Sequence, residues 1–200
     1  HKQTRESSGE RFARLAAMGE QIFHADDLAN LWNIRNAATL HMTLSRYVSQ
    51  GLLFRIQNGL YSIKSPTQLQ PDLIGLKVLH GPAYISCETV LFDAGVINQP
   101  PQAITIVSAV SRRFTLAGNN YRSRKLADSF LFNNAGIATK HGVRMADLSR
   151  AVADTLYFNS KKHFDVPSAI QWSAVRDIMN AVGYTQSLLK RYMEHYDHTK

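Results

Sequence analysis

Through the first fifty residues apolar side chains recur at helical spacing, and after Gly51 they switch to alternation. Residues 10–19 predict a first helix with Phe12, Leu15 and Ala16 on one face. A second begins near His24-Ala25-Asp26-Asp27, whose carboxylates suit the positive end of a helix dipole. Its apolar positions Leu28, Leu31 and Trp32 fall at i, i+3 and i+4. After the break Asn33-Ile34-Arg35-Asn36 a third helix runs to about Gln50, with Gly51 as its C-terminal stop. On that helix Leu40, Leu44, Tyr47 and Val48 share one side. Ala38, Met42, Ser45 and Ser49 lie opposite, with Thr39 and Arg46 beside them. Leu52-Leu53-Phe54-Arg55-Ile56 and Leu60-Tyr61-Ser62-Ile63 then alternate around Gln57-Asn58-Gly59, and Asn-Gly between such runs signals a hairpin.

Three helices and a hairpin within residues 1–65 are the order of a winged helix-turn-helix. Lys64-Ser65-Pro66-Thr67-Gln68-Leu69-Gln70-Pro71, polar and bounded by two prolines, reads as a linker to a second domain over 71–200. That domain predicts short helices over Leu73–Leu79 and Ser86–Ala94, then a strand over Ala103–Val107. Further strand-like pieces fall at Arg113–Leu116, Asn120–Ala127, Phe130–Phe132 and Gly136–Thr139. A helix from Met145 to Phe158 carries Leu148, Val152, Thr155 and Leu156 on one side, and helices over Ala169–Val182 and Gln186–Tyr196 follow. The expected fold is α+β: a winged helix-turn-helix, then an α+β domain with a small antiparallel sheet and C-terminal helices.

Charge sharpens this outline. The 200 residues hold 23 Lys+Arg against 15 Asp+Glu, a net +8, and an excess of that sign suits an anionic partner such as nucleic acid. It is unevenly spread: residues 1–65 carry net +3, 66–111 carry −2 and 112–144 carry +6. The outward face of the third helix is short, polar and almost without carboxylates, as a helix entering a major groove requires. Thr39, Met42, Ser45 and Arg46 on that helix are therefore read as facing DNA, with Arg55, Gln57 and Asn58 of the hairpin reaching the backbone of double-stranded DNA. Arg112, Arg113, Arg122, Arg124 and Arg144 form a second basic surface, read as a further phosphate-contacting face, a dock for an acidic protein, or a solvated exterior.

The run Arg55-Ile56-Gln57-Asn58-Gly59-Leu60-Tyr61-Ser62-Ile63, followed by Tyr84-Ile85-Ser86-Cys87-Glu88-Thr89-Val90-Leu91-Phe92-Asp93-Ala94-Gly95-Val96, resembles the AbiEi family of antitoxins. The Ile104-Thr105-Ile106-Val107-Ser108 strand and the Asp147–Leu156 helix fall where that family has them, so the resemblance spans about residues 20–158. It implies a bacterial antitoxin of an abortive-infection or toxin–antitoxin system. Such a protein represses its own operon by binding promoter repeats, and its C-terminal domain counters a nucleotidyltransferase-like toxin. The resemblance also implies an acidic residue near Ser149, where this chain offers Asp147 and Asp154. By topology the resemblance carries over only the DNA-facing positions, adding Arg35 and Asn36 to Thr39, Met42, Ser45, Arg46, Arg55, Gln57 and Asn58, and it carries over no antitoxicity residue.

Catalytic chemistry is not expected. One cysteine, Cys87, allows no internal disulfide and no thiolate zinc cage, and a reducing cytoplasm is the expected location. The longest uncharged run, Ala94 to Ser111, is interrupted by Asn98-Gln99-Pro100-Pro101-Gln102 and predicts no membrane span. His1-Lys2-Gln3-Thr4 is not a signal peptide, and the missing initiator Met points to a trimmed start. His195 and His198, flanked by Glu194 and Asp197, have ligand spacing but stand at the chain end, and no metal or cofactor is expected. Ser187-Leu188-Leu189-Lys190 matches Ser-x-x-Lys without its companion motifs. The other functional readings are a winged-helix regulator whose second domain senses a ligand or dimerises, and a nuclease with a winged-helix targeting module. Oligomeric state stays open.

Overall fold

A computed structural model of the chain describes residues 7–185, 187, 188, 190 and 191. Most of the helix expected over Gln186–Tyr196, with Glu194, His195, Asp197 and His198, lies outside the described residues. The fold is α+β, in two compact units that divide between Lys77 and Val78.

The N-terminal unit runs α1 (Ser8–Ala17), β1 (Ile22–His24), α2 (Ala25–Leu31), α3 (Ala37–Ser49), β2 (Phe54–Gln57), β3 (Leu60–Ser62) and α4 (Pro71–Val78, through Lys77). Ser7 and Glu10 cap α1 reciprocally: the Ser7 hydroxyl accepts from the Glu10 N–H, and the Glu10 carboxylate from the Ser7 N–H. The short β1 was not anticipated. It makes β3 the central strand of a three-stranded antiparallel sheet, β1-β3-β2, which explains why Leu60, Tyr61 and Ser62 are all buried. The core joins Leu15, Phe23, Leu28, Trp32, Leu44, Tyr47, Leu53 and Tyr61, with Trp32 and Tyr47 edge to face at 5.4 Å. The segment read as a linker, 64–71, instead holds a short 3₁₀ turn at Pro66–Gln68 and leads into α4. Lys77 is tied back by its ammonium on Glu20 at 2.6 Å and its carbonyl on His24 Nε2 at 2.8 Å.

The C-terminal unit adds β4 (Ala83–Ile85), α5 (Glu88–Asp93), β5 (Ile104–Ser108), β6 (Arg112–Leu116), β7 (Asn119–Lys125), α6 (Asp128–Leu131), β8 (Ile137–Lys140), β9 (Val143–Ala146), α7 (Leu148–Phe158) and α8 (Trp172–Val182). Its sheet has six strands in the order β6-β7-β5-β4-β9-β8. Antiparallel pairs are present as expected, but β5–β7 and β4–β9 are parallel, so the sheet is mixed. Two-residue turns at Ala117-Gly118 and His141-Gly142, all four residues at positive φ, close its two hairpins. Phe130 and Leu131, expected in a strand, lie in α6, and Phe132 caps it. Met145 and Ala146, expected in a helix, end β9. Asp147 sets that boundary, because its carboxylate accepts the Arg150 N–H and caps α7. Among the described residues no helix is long and apolar enough to cross a membrane.

Helix α7 is buried from Arg150 to Leu156, including one ion pair. Arg150 Nε donates to Asp154 Oδ1 at 2.9 Å. Its Nη1 donates to the carbonyls of Asn133 and Ala135, and its Nη2 to the Phe130 carbonyl and the Tyr84 hydroxyl. All five guanidinium N–H groups are thereby used. Asp154 also accepts from the hydroxyls of Tyr84 (2.9 Å), Ser86 (2.7 Å) and Tyr184 (2.6 Å). Removing either member of such a pair costs about 3–5 kcal/mol, since the other charge is left buried alone. Gly136 lets the loop approach: at φ +70°, a Cβ there would sit 2.7 Å from Arg150 Cβ and 3.0 Å from Asp147 Oδ1.

Gly136→Ala is accordingly expected to lower unfolding stability by about 2–4 kcal/mol in denaturant titration, adding left-handed strain to overpacking. A change within 0.5 kcal/mol, roughly the background of neutral surface substitutions, would count against this packing. Burial, with the nearby Asp154 charge, also raises the pKa values of three groups. It pushes the Cys87 thiol from 9.0 up to about 12 and carries the Tyr84 and Tyr184 hydroxyls well above 10.0. The folded chain keeps these protons where the unfolded chain has lost them, so stability falls as pH rises. Unfolding stability is expected to decline from about pH 9, more steeply above pH 10 when the tyrosines join, by up to about 1.4 kcal/mol per pH unit for each group, and the thermal midpoint falls with it. A midpoint constant to pH 11 would contradict it.

Candidate nucleic-acid interface

Helix α3 owes its start to Asn36, whose Oδ1 accepts the Thr39 N–H at 2.9 Å and the Thr39 hydroxyl at 3.3 Å. The Asn36 oxygen is thus committed to the cap, which leaves its amide N–H groups as the donors it can offer. Thr43, Leu44 and Tyr47 bury the inner face, while Thr39, Met42, Ser45 and Arg46 are exposed on the outer one. Met42 is 72% exposed, an apolar side chain held at the middle of a polar face. The first turn carries no acid, so the partial positive charge of the helix start is uncompensated. The Arg46 guanidinium stands 5.6 Å from the centroid of the Tyr47 ring.

The backbone turns directly from α3 into β2. Gly51 takes φ +69°, and the N–H groups of Leu52 and Leu53 both reach the Tyr47 carbonyl. In the hairpin, Arg55 Nη2 donates to Asn58 Oδ1 at 2.8 Å, bracing the turn. A bulge between Arg55 and Gln57 leaves Ile56 unpaired, and Gly59 takes φ +76°. Arg55 and Asn58 are exposed and Gln57 is half-buried.

At the start of α3 a cavity of about 470 Å³ is lined by Asn33, Ile34, Arg35, Asn36, Thr39 and Arg11. Sequence reasoning missed Arg11 because it sits on α1, counted there only as part of an amphipathic helix. A basic residue one position from the apolar Phe12 was the available signal.

The five arginines expected to form a second basic surface are not brought together. The register sets Arg113 directly opposite Arg122, and Arg124 two positions along β7 shares that sheet face. Arg112 is opposite Ser123 and belongs to the other face, its guanidinium 4.9 Å from the Phe114 ring. Arg144 is on β9, three strands from β7, where it donates to Asn134 Oδ1 at 2.6 Å. Arg124 is engaged as well, 3.6 Å from Glu88 and 4.9 Å from the Phe158 ring. Side-chain alternation across two strands separates what linear proximity had joined. Cys87, at the β4–α5 turn with φ +53°, is buried and keeps its proton, so it is no nucleophile at neutral pH.

No protein-family model matches the chain, and no curated protein matches it. Among solved structures it is similar to the crystal structure of the Rv2827c protein from Mycobacterium tuberculosis, with 11% identity and a TM-score of 0.48 over 94% of this chain and 76% of that one.

Proposed function

We propose that the N-terminal unit is a winged helix-turn-helix that binds double-stranded DNA, and that the chain is an AbiEi-type antitoxin repressing its own operon. The observation that carries the DNA half is the outer face of α3. It presents Thr39, Met42, Ser45 and Arg46 to solvent, has no acid in its first turn and starts beside the cavity that Arg35 lines. Hydroxyls, a guanidinium and an apolar contact together suit base edges in a major groove. Arg55 on the hairpin suits a backbone phosphate, which would compete with Asn58 for its Nη2. The antitoxin half rests on the sequence resemblance, and its partner is a co-encoded nucleotidyltransferase-like toxin.

Titration of duplexes carrying the upstream repeats tests the first half. Affinity is expected to fall steeply with salt, as counterion release demands. Arg46→Ala is expected to cost about 1–3 kcal/mol on the repeat and little on unrelated duplexes. Arg55→Ala is expected to weaken every duplex alike and reduce the salt slope by about one. Equal losses from both variants on all duplexes would refute this division. For the second half, co-expression with the neighbouring toxin is expected to restore growth. Growth arrest despite soluble, folded protein would remove the antitoxin reading.

A further inference from the structure

On one face of the six-stranded sheet, Thr105 of β5, Arg122 of β7 and Arg113 of β6 stand in a row, each pair directly opposite in the register. Two like charges directly opposite destabilise a sheet unless something lies between them. Neither Arg113 nor Arg122 has an ion-pair partner among the described residues. Both line a cavity of about 910 Å³, and Lys162 reaches it from the segment after α7. Glu88, on the same wall, has Oε1 3.6 Å from Arg124 Nη2, and both its Oε2 and Arg124 Nη1 are buried without a hydrogen-bond partner among the described residues. Arg113, Arg122 and Lys162 therefore converge on a single concavity of small-ligand size, where Glu88 keeps an unsatisfied oxygen and Asp165 already accepts the Asn98 N–H and stands 3.7 Å from His163.

We propose that this cavity is a nucleotide site. The adjacent guanidiniums of Arg113 and Arg122, with Lys162, hold the phosphates, as paired forks hold anionic oxygens. Glu88 Oε2 accepts a hydrogen from a ribose hydroxyl or a base N–H. A bare polyphosphate would leave that acceptor unused. An extended nucleic-acid backbone would call for the cations in line, yet Arg112 faces the other way and Arg144 is on β9. The site does not depend on the DNA reading of α3.

Calorimetric titration of the full chain with ATP, GTP, CTP and UTP, alongside pyrophosphate and adenosine, tests the proposal. At least one triphosphate is expected to saturate one site, with pyrophosphate weaker and adenosine silent. Arg122→Gln and Arg113→Gln are each expected to lower triphosphate affinity about tenfold or more, the worth of a charge-assisted hydrogen bond. Glu88→Gln is expected to weaken the triphosphate and leave pyrophosphate unchanged. Without ligand, the two arginine variants are expected to melt at or above the temperature of the original, since each removes a repulsion; a purely structural role would lower it. No saturation by any triphosphate at millimolar concentration would overturn the site. So would original affinity in both arginine variants, or binding of duplex DNA or an acidic peptide through these arginines that no triphosphate displaces.

Discussion

Burying a guanidinium and a carboxylate four residues apart on one helix obliges the surrounding chain to supply every other hydrogen bond they need. In the C-terminal unit that obligation reaches β4 through Tyr84, the turn after it through Ser86, α6 through the Phe130 carbonyl, the loop after α6 through the Asn133 and Ala135 carbonyls, and the segment beyond α8 through Tyr184. The loop can come close enough because Gly136 has no side chain, and its carbonyl in turn takes the Asp147 N–H at 2.7 Å. In the sheet β4 and β9 lie side by side, and α7 starts just after β9, which sets the helix that carries the pair next to the strand that carries Tyr84. Parts distant in sequence meet at Arg150 and Asp154.

The N-terminal unit uses a different economy. Its centre is apolar, and its polar groups work at the edges as caps and turn braces: Ser7 and Glu10 on α1, Asn36 on α3, Arg55 with Asn58 in the hairpin. The inner face of α3 is specified by Leu44 and Tyr47, so its outer face carries little of the folding burden. Thr39, Met42, Ser45 and Arg46 are consequently able to change with a partner at small cost to stability.

Much of the N-terminal unit was legible because its signals are local. Helical spacing, the Asn-Gly turn and Gly51 act within a few residues, and the separation of α3 into inner and outer faces agrees with the burial of Leu44 and Tyr47 and the exposure of Met42. Three-residue β1 carried no periodicity to read; it exists because β3 has an edge to pair. The second unit was harder for the same reason. Parallel pairing of β5 with β7 and of β4 with β9 depends on crossovers, and short strands such as Ala83–Ile85 hold too few positions to show alternation. Arg150 and Asp154 gave one usable hint, a charged i, i+4 pair inside an otherwise apolar helix, but Thr155 and Leu156 drew attention to a single face. Of the candidate site, the α3 positions came from a helical wheel, while Lys162 and Glu88 needed the tertiary structure to meet Arg113 and Arg122.

Tyr84 of β4 and Ser86, just beyond its end, lie in the 84–96 segment that carries the antitoxin resemblance. Both hydroxyls are spent on Asp154, and neither faces solvent. What such a motif transmits between chains is therefore the demand of an interior anion for donors, a matter of architecture. Two proteins can share it and recognise unrelated molecules. Partner choice is left to the exposed residues, which the buried network does not constrain.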